Sequence, residues 1–298
     1  MKLPAFTLVH SMNRRSSKME AGAVSELRAA KKGLRDSIEG SFSSGVLNKS
    51  AVGRVAKEIN RQPNVHTVGI WDLGAWVGAL PKIIETMNKA QPDIVIFEIQ
   101  AAIPSGLVQD ASRVAYRAEE ILGRKLKHAE RTELQDAIVD VDFFPVGERV
   151  RREVGVDYLI ALTGDRIAGE ISDDDGHTFH SDFFSSPEGR VCLVSTNGLR
   201  ELAETAERPF EMAVGYVFLG SLLVAMNPGI SFHDDAGCLF DYNYDRTKIA
   251  RGLASPNIDD GCLGKIKPGY RSMTRHLLQS LSSYKRPDQI GTTVGSTS

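Results

Sequence analysis

The chain has 298 residues, of which 42% are hydrophobic and 25% are charged, and its formal net charge is −2. This composition is ordinary for a globular protein and gives no overall attraction to nucleic acid or to anionic membranes. Its three cysteines are too few for a disulfide-stapled secreted domain. We therefore expect a cytoplasmic protein with no specific nucleic-acid partner and no membrane association.

The first 64 residues differ in charge from the rest of the chain. They contain 12 Lys or Arg and only 5 Asp or Glu, in two stretches of helix-compatible composition that a Gly/Ser-rich loop separates. We interpret residues 1–64 as a basic helical extension. Residues 65–266 are predicted to form the main domain, and residues 267–298 a C-terminal helix followed by a disordered tail.

After residue 64, apolar strand patterns alternate with helix patterns. Strands are predicted over residues 65–71, 93–100, 156–162 and 189–195, because each is a continuous or alternating apolar run. Helices are predicted over residues 79–89, 111–122, 128–139, 148–153 and 199–207. This alternation indicates an α/β fold whose sheet is covered by helices on at least one face.

A further helix is predicted from Arg208 to Met226, which reads RPFEMAVGYVFLGSLLVAM. Pro209 near its first turn is a typical start signal. No His, Asp, Glu or Cys occurs between Glu211 and His233. A helix that is apolar on all faces is expected to be fully buried. Its uncharged apolar stretch, Met212 to Met226, falls short of the roughly 18 residues needed to span a membrane.

Several segments, taken in order, resemble those of the archaemetzincins, which are zincin-type metalloproteases. The resemblance lies in DIVIFEIQAAIP (93–104), VDYLIALTGDRI (156–167), FHSDFFSSPEGRVCLVST (179–196) and the apolar helix after them. In that family the helix carries His-Glu-x-x-His, which binds zinc and supplies a general base. Here the same region holds Gly215, Tyr216, Leu219, Gly220 and Leu222. The resemblance implies a zincin-like mixed sheet with covering helices, a buried apolar helix in the active-site position, and loss of the catalytic zinc.

The same family has a cysteine-rich zinc site near its C-terminus. Its paired knuckles are similar to His233-x4-Cys238 and Asp259-x2-Cys262, with His233 and Asp259 standing where the family has cysteine. The resemblance implies a small C-terminal knuckle subdomain holding one structural zinc ion, with no other cofactor. The alternative interpretation is that Cys238 and Cys262 are merely small buried residues beside a solvated turn at His233.

Three functions are compatible with these patterns. The first is a non-catalytic, metalloprotease-like domain that binds a protein or peptide along an edge strand near residues 179–184, with Phe183 and Phe184 exposed. The second is a metal-dependent hydrolase with a rearranged site built from His177, His180 or His233 and nearby aspartates. The odd separation of the first two histidines places them on opposite sides of a strand, which argues against a shared ion. The third is a regulatory subunit whose basic extension binds an acidic neighbour.

Overall fold

The computed structural model describes residues 65–173, 176–233, 237–243 and 245–285, all within one compact unit. The predicted N-terminal extension and C-terminal tail lie outside the described residues. The elements are, in chain order, β1 (His66–Asp72), α1 (Leu80–Ala90), β2 (Ile94–Ile99), α2 (Ala111–Leu122), α3 (His128–Glu133), β3 (Ala137–Val139), α4 (Asp140–Val154), β4 (Tyr158–Thr163), β5 (Arg166–Asp173), β6 (Gly176–Phe183), β7 (Ser185–Glu188), β8 (Val191–Ser195), α5 (Leu199–Thr205), α6 (Phe210–Met226), a 3-10 turn (Arg246–Lys248), α7 (Ile249–Ala254), α8 (Asp260–Lys265) and α9 (Pro268–Ser282).

The larger sheet has five strands in the order β2-β1-β4-β8-β7. The first four are parallel, and β7 pairs with β8 as an antiparallel edge strand. Alternate residues of β4 and β8 join one core with α1, α6 and α9. On the opposite face α4 packs through Phe143, whose ring stacks on Trp71 at 6.3 Å. Because both faces are covered, the strands are continuous apolar runs, and the predicted α/β class with a mixed, covered sheet is confirmed.

Helix α6 lies in the centre of this core. All of its residues except Val224 and Ala225 are buried, which confirms the expectation from its apolar composition. Gly215 allows the close approach of α9, since a Cβ atom there would lie 2.8 Å from Leu281 Cδ2. Among the described residues no single helix is long and apolar enough to cross a membrane; only α5 and α6 taken together, with a 111° bend between them, meet the length and composition criteria.

Two predicted helices have different bounds in the structure. The helix predicted over residues 128–139 ends at Glu133, and Ala137–Val139 forms the strand β3, which pairs with β5. Pairing with a distant strand has overridden the local helix preference of this segment. The short helix predicted over residues 148–153 is the second half of α4, which begins at Asp140 and contains Pro145.

A second, three-stranded sheet has the order β3-β5-β6. Most of the acidic segment 170–182 forms the antiparallel β5–β6 hairpin. Strand β6 is the edge of this sheet. Within the described part of the chain, its outer side makes no backbone hydrogen bond to another element. An edge strand of this kind is a surface with which an extended chain can pair.

Gly147 brings α4 into direct contact with β8. A Cβ atom there would lie 2.6 Å from Val191 Cγ1 and 3.2 Å from Phe143 Cε1. We expect Gly147→Ala to lower the free energy of unfolding in urea by about 1–3 kcal/mol, because overpacking outweighs the better helix propensity of Ala. The matched control is Gly264→Ala in α8, where an added Cβ meets no atom within 4 Å. Equal stability of the two variants would contradict the packing described for α4.

Candidate metal centre and adjoining groove

Four potential metal ligands meet in the C-terminal part of the domain. They are His233, Cys238, Asp259 and Cys262, and their ligand atoms all lie within 4.8 Å of one another. His233 Nε2 lies 3.0 Å from Cys262 Sγ and 3.7 Å from Asp259 Oδ2. Zinc bonds of about 2.0–2.3 Å in a tetrahedron place ligand atoms about 3.3–3.8 Å apart. The side chains therefore already have nearly the spacing that a zinc ion requires.

Asp259 supports the fit because only one of its carboxylate oxygens is satisfied. As the N-cap of α8, it accepts a hydrogen bond through Oδ1 from the Cys262 amide at 2.7 Å. Its Oδ2 is buried and has no hydrogen-bond partner among the described residues. A buried carboxylate oxygen without a partner is unfavourable, so a cation bound at this position would compensate it.

The loop that carries His233 and Cys238 is held by its own hydrogen bonds. The His233 amide donates to the Phe240 carbonyl at 3.0 Å, and the Tyr242 amide donates to the His233 carbonyl at 2.8 Å. The Asp241 carboxylate accepts from the Cys238 amide at 3.1 Å and lies 4.0 Å from His233 Nδ1. Metal-binding histidines usually turn their second nitrogen towards such a carboxylate, which fixes the ring orientation.

The electrostatics of the cluster favour protonated thiols and an ionised carboxylate. Burial, followed by the neighbouring Asp259, raises the pKa of the Cys262 thiol to about 12. Burial is also the main cause that raises the pKa of Cys238. The adjacent Cys238 thiol, followed by the Cys262 amide, holds the pKa of Asp259 well below its usual range. A metal ion that binds here must therefore displace the thiol protons.

One face of α6 lies beside this cluster and offers no metal ligand. Tyr216, Val217 and Gly220 line a small cavity of about 40 Å³. These three positions have the spacing of the His, the Glu and the second His of a His-Glu-x-x-His motif, which would share one helix face. A Cβ atom on Gly220 would lie 3.0 Å from the Leu239 carbonyl oxygen. The backbone of the ligand-bearing loop therefore occupies the space that a histidine at this position would need.

A larger cavity of about 260 Å³ follows strand β6. Phe183, Phe184, Tyr242 and Asn243 line both this cavity and the one over α6. We name the two together the β6 groove. The Phe183 and Tyr242 rings meet edge to face at 6.1 Å. The apolar side chains along the larger cavity are Leu134, Ile171, Phe179, Phe183, Phe184 and Tyr242.

Exposure of both Phe183 and Phe184 would support peptide binding along this edge, but neither side chain is fully exposed. Phe183 is half-buried in the groove wall, whereas Phe184 is only 8% exposed. The guanidinium of Arg246 stacks over the Phe184 ring at 4.0 Å. Buried and partly exposed positions alternate from Thr178 to Asp182, but Phe183 and Phe184, which follow, are half-buried and buried.

The other histidines considered as ligands do not assemble a site. His177 is exposed and pairs with Glu170, and His180 lies in the groove wall with Nε2 3.2 Å from the Thr178 hydroxyl. Neither belongs to a group of three potential ligands among the residues that the structure describes. Of the three histidines considered for a rearranged hydrolase site, only His233 therefore lies in a cluster of potential metal ligands among the described residues.

Comparisons with known proteins give distant likenesses. No family model matches the chain, and no curated protein matches it. The match to an archaemetzincin from Archaeoglobus fulgidus, solved with malonate, extends over 67% of this chain and 99% of the archaemetzincin chain, with 11% identity and a TM-score of 0.42. The match to a zinc-dependent peptidase from Methanocorpusculum labreanum extends over 67% of this chain and 100% of the peptidase chain, with 12% identity and a TM-score of 0.37. The α/β assignment rests on the sheets and helices of this chain itself.

Proposed function

We propose that this chain is a non-catalytic, metalloprotease-like domain that binds an extended peptide in the β6 groove and is stabilised by one structural zinc ion. One observation carries the proposal. On one side of the groove lies β6, whose outer side makes no backbone hydrogen bond to another element among the described residues, and on the other side lies the face of α6 that offers no metal ligand. This arrangement can hold a peptide but provides nothing to activate a water molecule for its cleavage.

The metal cluster has the donor set of a structural site. Four protein ligands from one imidazole, two thiols and one carboxylate would complete a tetrahedron around zinc and would leave no open position for water or substrate. Zinc bound there would supply a cross-link between the loop at His233 and helix α8. A hydrolase would need an open coordination position, which this closed set does not offer.

Peptide binding would use the outer edge of β6. In strand addition, the free N–H and C=O groups of an edge strand pair with the backbone of an extended peptide, and alternate side chains point the same way. The half-buried Phe183 and its neighbour Tyr242 provide an apolar contact for one of those side chains. Backbone pairing gives affinity, and this contact selects an apolar residue.

The groove is tested with a library of capped hexapeptides rich in alternating Val and Thr. We expect Phe183→Ala to weaken binding of the best hexapeptide by about tenfold or more, because buried aromatic contacts dominate such interfaces. Fluorescence anisotropy measures the affinity. Tyr116→Ala is the matched control, since this tyrosine lies on α2 and is 61% exposed.

Hydrogen exchange gives the position of the bound peptide. Strand addition predicts that the hexapeptide slows exchange of the amides on the outer side of β6. Binding that depends equally on Phe183 and Tyr116, or protection confined to other strands, would contradict the proposed site.

A further inference from the structure

Two arginines share one carboxylate at an end of the β6 groove. Asp182 Oδ1 accepts from Arg166 Nη1 at 3.2 Å and also from Arg246 Nη1, which makes the shorter contact. Arg246 is held in place because it stacks on Phe184 at 4.0 Å and donates to the Asn197 carbonyl. Its charge therefore already compensates the carboxylate of Asp182.

Arg166 is the cation that remains available. It is the first residue of β5, it lines the groove, and its side chain is 29% exposed. The single hydrogen bond to Asp182 is its only polar contact among the described residues. A guanidinium has five N–H donors in a rigid fork, so four of the donors of Arg166 have no protein partner there.

The charges around Arg166 leave a place for an anion. Two guanidiniums face one carboxylate, which gives an excess of one positive charge at this end of the groove. Two other acidic residues line the groove. Glu133 is exposed on α3, and the Asp241 carboxylate accepts from the Gly237 and Cys238 amides. The fork geometry of Arg166 matches a carboxylate, which it can bind through two parallel hydrogen bonds.

We infer that the peptide bound in the β6 groove carries an Asp or Glu side chain whose carboxylate binds Arg166, beside an apolar side chain that contacts Phe183 and Tyr242. This inference rests on the proposed function and adds the chemical class of the ligand. It makes the ligand an acidic, extended peptide of alternating pattern. Arg166 then acts as a specificity residue, while the edge of β6 provides backbone binding.

The test compares hexapeptides from the same library that differ only in Glu, Gln or Lys at one position, scanned along the peptide. All carry N-acetyl and C-amide caps, so the side chain is the only carboxylate. We expect Glu to bind about tenfold more tightly than Gln at one position, since a charge-assisted hydrogen bond has about that effect, and Lys to bind more weakly still.

Two variants assign this preference to Arg166. Arg166→Gln should abolish the preference for Glu while keeping the Phe183-dependent binding of the Gln peptide. Arg166→Glu should reverse the preference in favour of Lys, and a thermal melt of each variant shows that it is folded.

Three outcomes overturn the inference in distinguishable ways. Equal binding of the Glu, Gln and Lys peptides, with Phe183 dependence intact, overturns the acidic preference and leaves the proposed function standing. A parallel set of the same hexapeptides without the C-amide cap tests the peptide end. If tighter binding requires the free C-terminus, the anion that Arg166 binds is the terminal carboxylate, and the inference of an Asp or Glu side chain is overturned. Failure of every hexapeptide to bind overturns the proposed function together with this inference.

Discussion

Cys262→Ala is expected to remove the bound metal ion and to lower thermal stability in the same variant. Cys262 is one of the four potential ligands, and its amide also fixes Asp259 at the start of α8. We expect about one equivalent of zinc in the parent protein and a fall in zinc affinity of more than about 100-fold in the variant, since even changes behind the ligands cost 10–100-fold. The loss of the cross-link should lower the free energy of unfolding by several kcal/mol.

The matched control is Cys192→Ala. Cys192 lies in β8, is fully buried, and its Sγ lies 3.4 Å from the Ser221 carbonyl, outside the metal cluster. This variant should keep its zinc and lose about 1 kcal/mol through the small cavity that it creates. Metal content is measured by mass spectrometry of the purified chains. Zinc that survives Cys262→Ala would place the ion elsewhere, and a metal-free parent protein would refute the structural zinc site.

Gly220→His is expected to destabilise the fold strongly and to restore no catalysis. An added Cβ atom lies only 3.0 Å from the Leu239 carbonyl oxygen, and an imidazole needs far more room. Because the obstacle is backbone in a buried core, relief requires movement of the loop that carries Cys238. Overpacking of this kind costs about 3 kcal/mol or more, which urea denaturation would measure.

The control for this change places the same side chain on the same helix. Ala225→His lies at one of the two α6 positions that are not buried, so we expect a loss of less than about 1 kcal/mol. Combining Gly220→His with Tyr216→His and Val217→Glu would recreate the motif His-Glu-x-x-His in the chain. Zinc-dependent peptide cleavage by that triple variant, or a Gly220→His protein as stable as the control, would show that the cleft over α6 is open.

The core of the fold could be predicted from the sequence because its strands and α6 are continuous apolar segments. Such segments have few alternatives to burial, whatever the rest of the chain does. The segment 128–139 shows where this reasoning fails. Its composition suits a helix, and only pairing with the distant strand β5 makes Ala137–Val139 extended. A long-range pairing of this kind leaves no local pattern in the sequence.

Of the candidate site, the metal cluster could be named from the sequence, whereas the groove residues Arg166 and Tyr242 could not. The four residues of His233-x4-Cys238 and Asp259-x2-Cys262 were chosen because these segments resemble paired zinc knuckles. The structure brings their ligand atoms within 4.8 Å of one another, while zinc binding by them stays a prediction. The roles of Arg166 and Tyr242 had no sequence signal. Each is a single residue in an ordinary context, and only the folding of β6 between them places both on one groove.

The most direct test of a non-catalytic, peptide-binding domain is native mass spectrometry of the full chain, loaded with zinc and incubated with the hexapeptide library. We predict a complex of one chain, one zinc ion and one intact peptide, with no peptide fragments in solution. Fragments that disappear when a chelator is added would contradict the proposal and identify the chain as an active metallopeptidase.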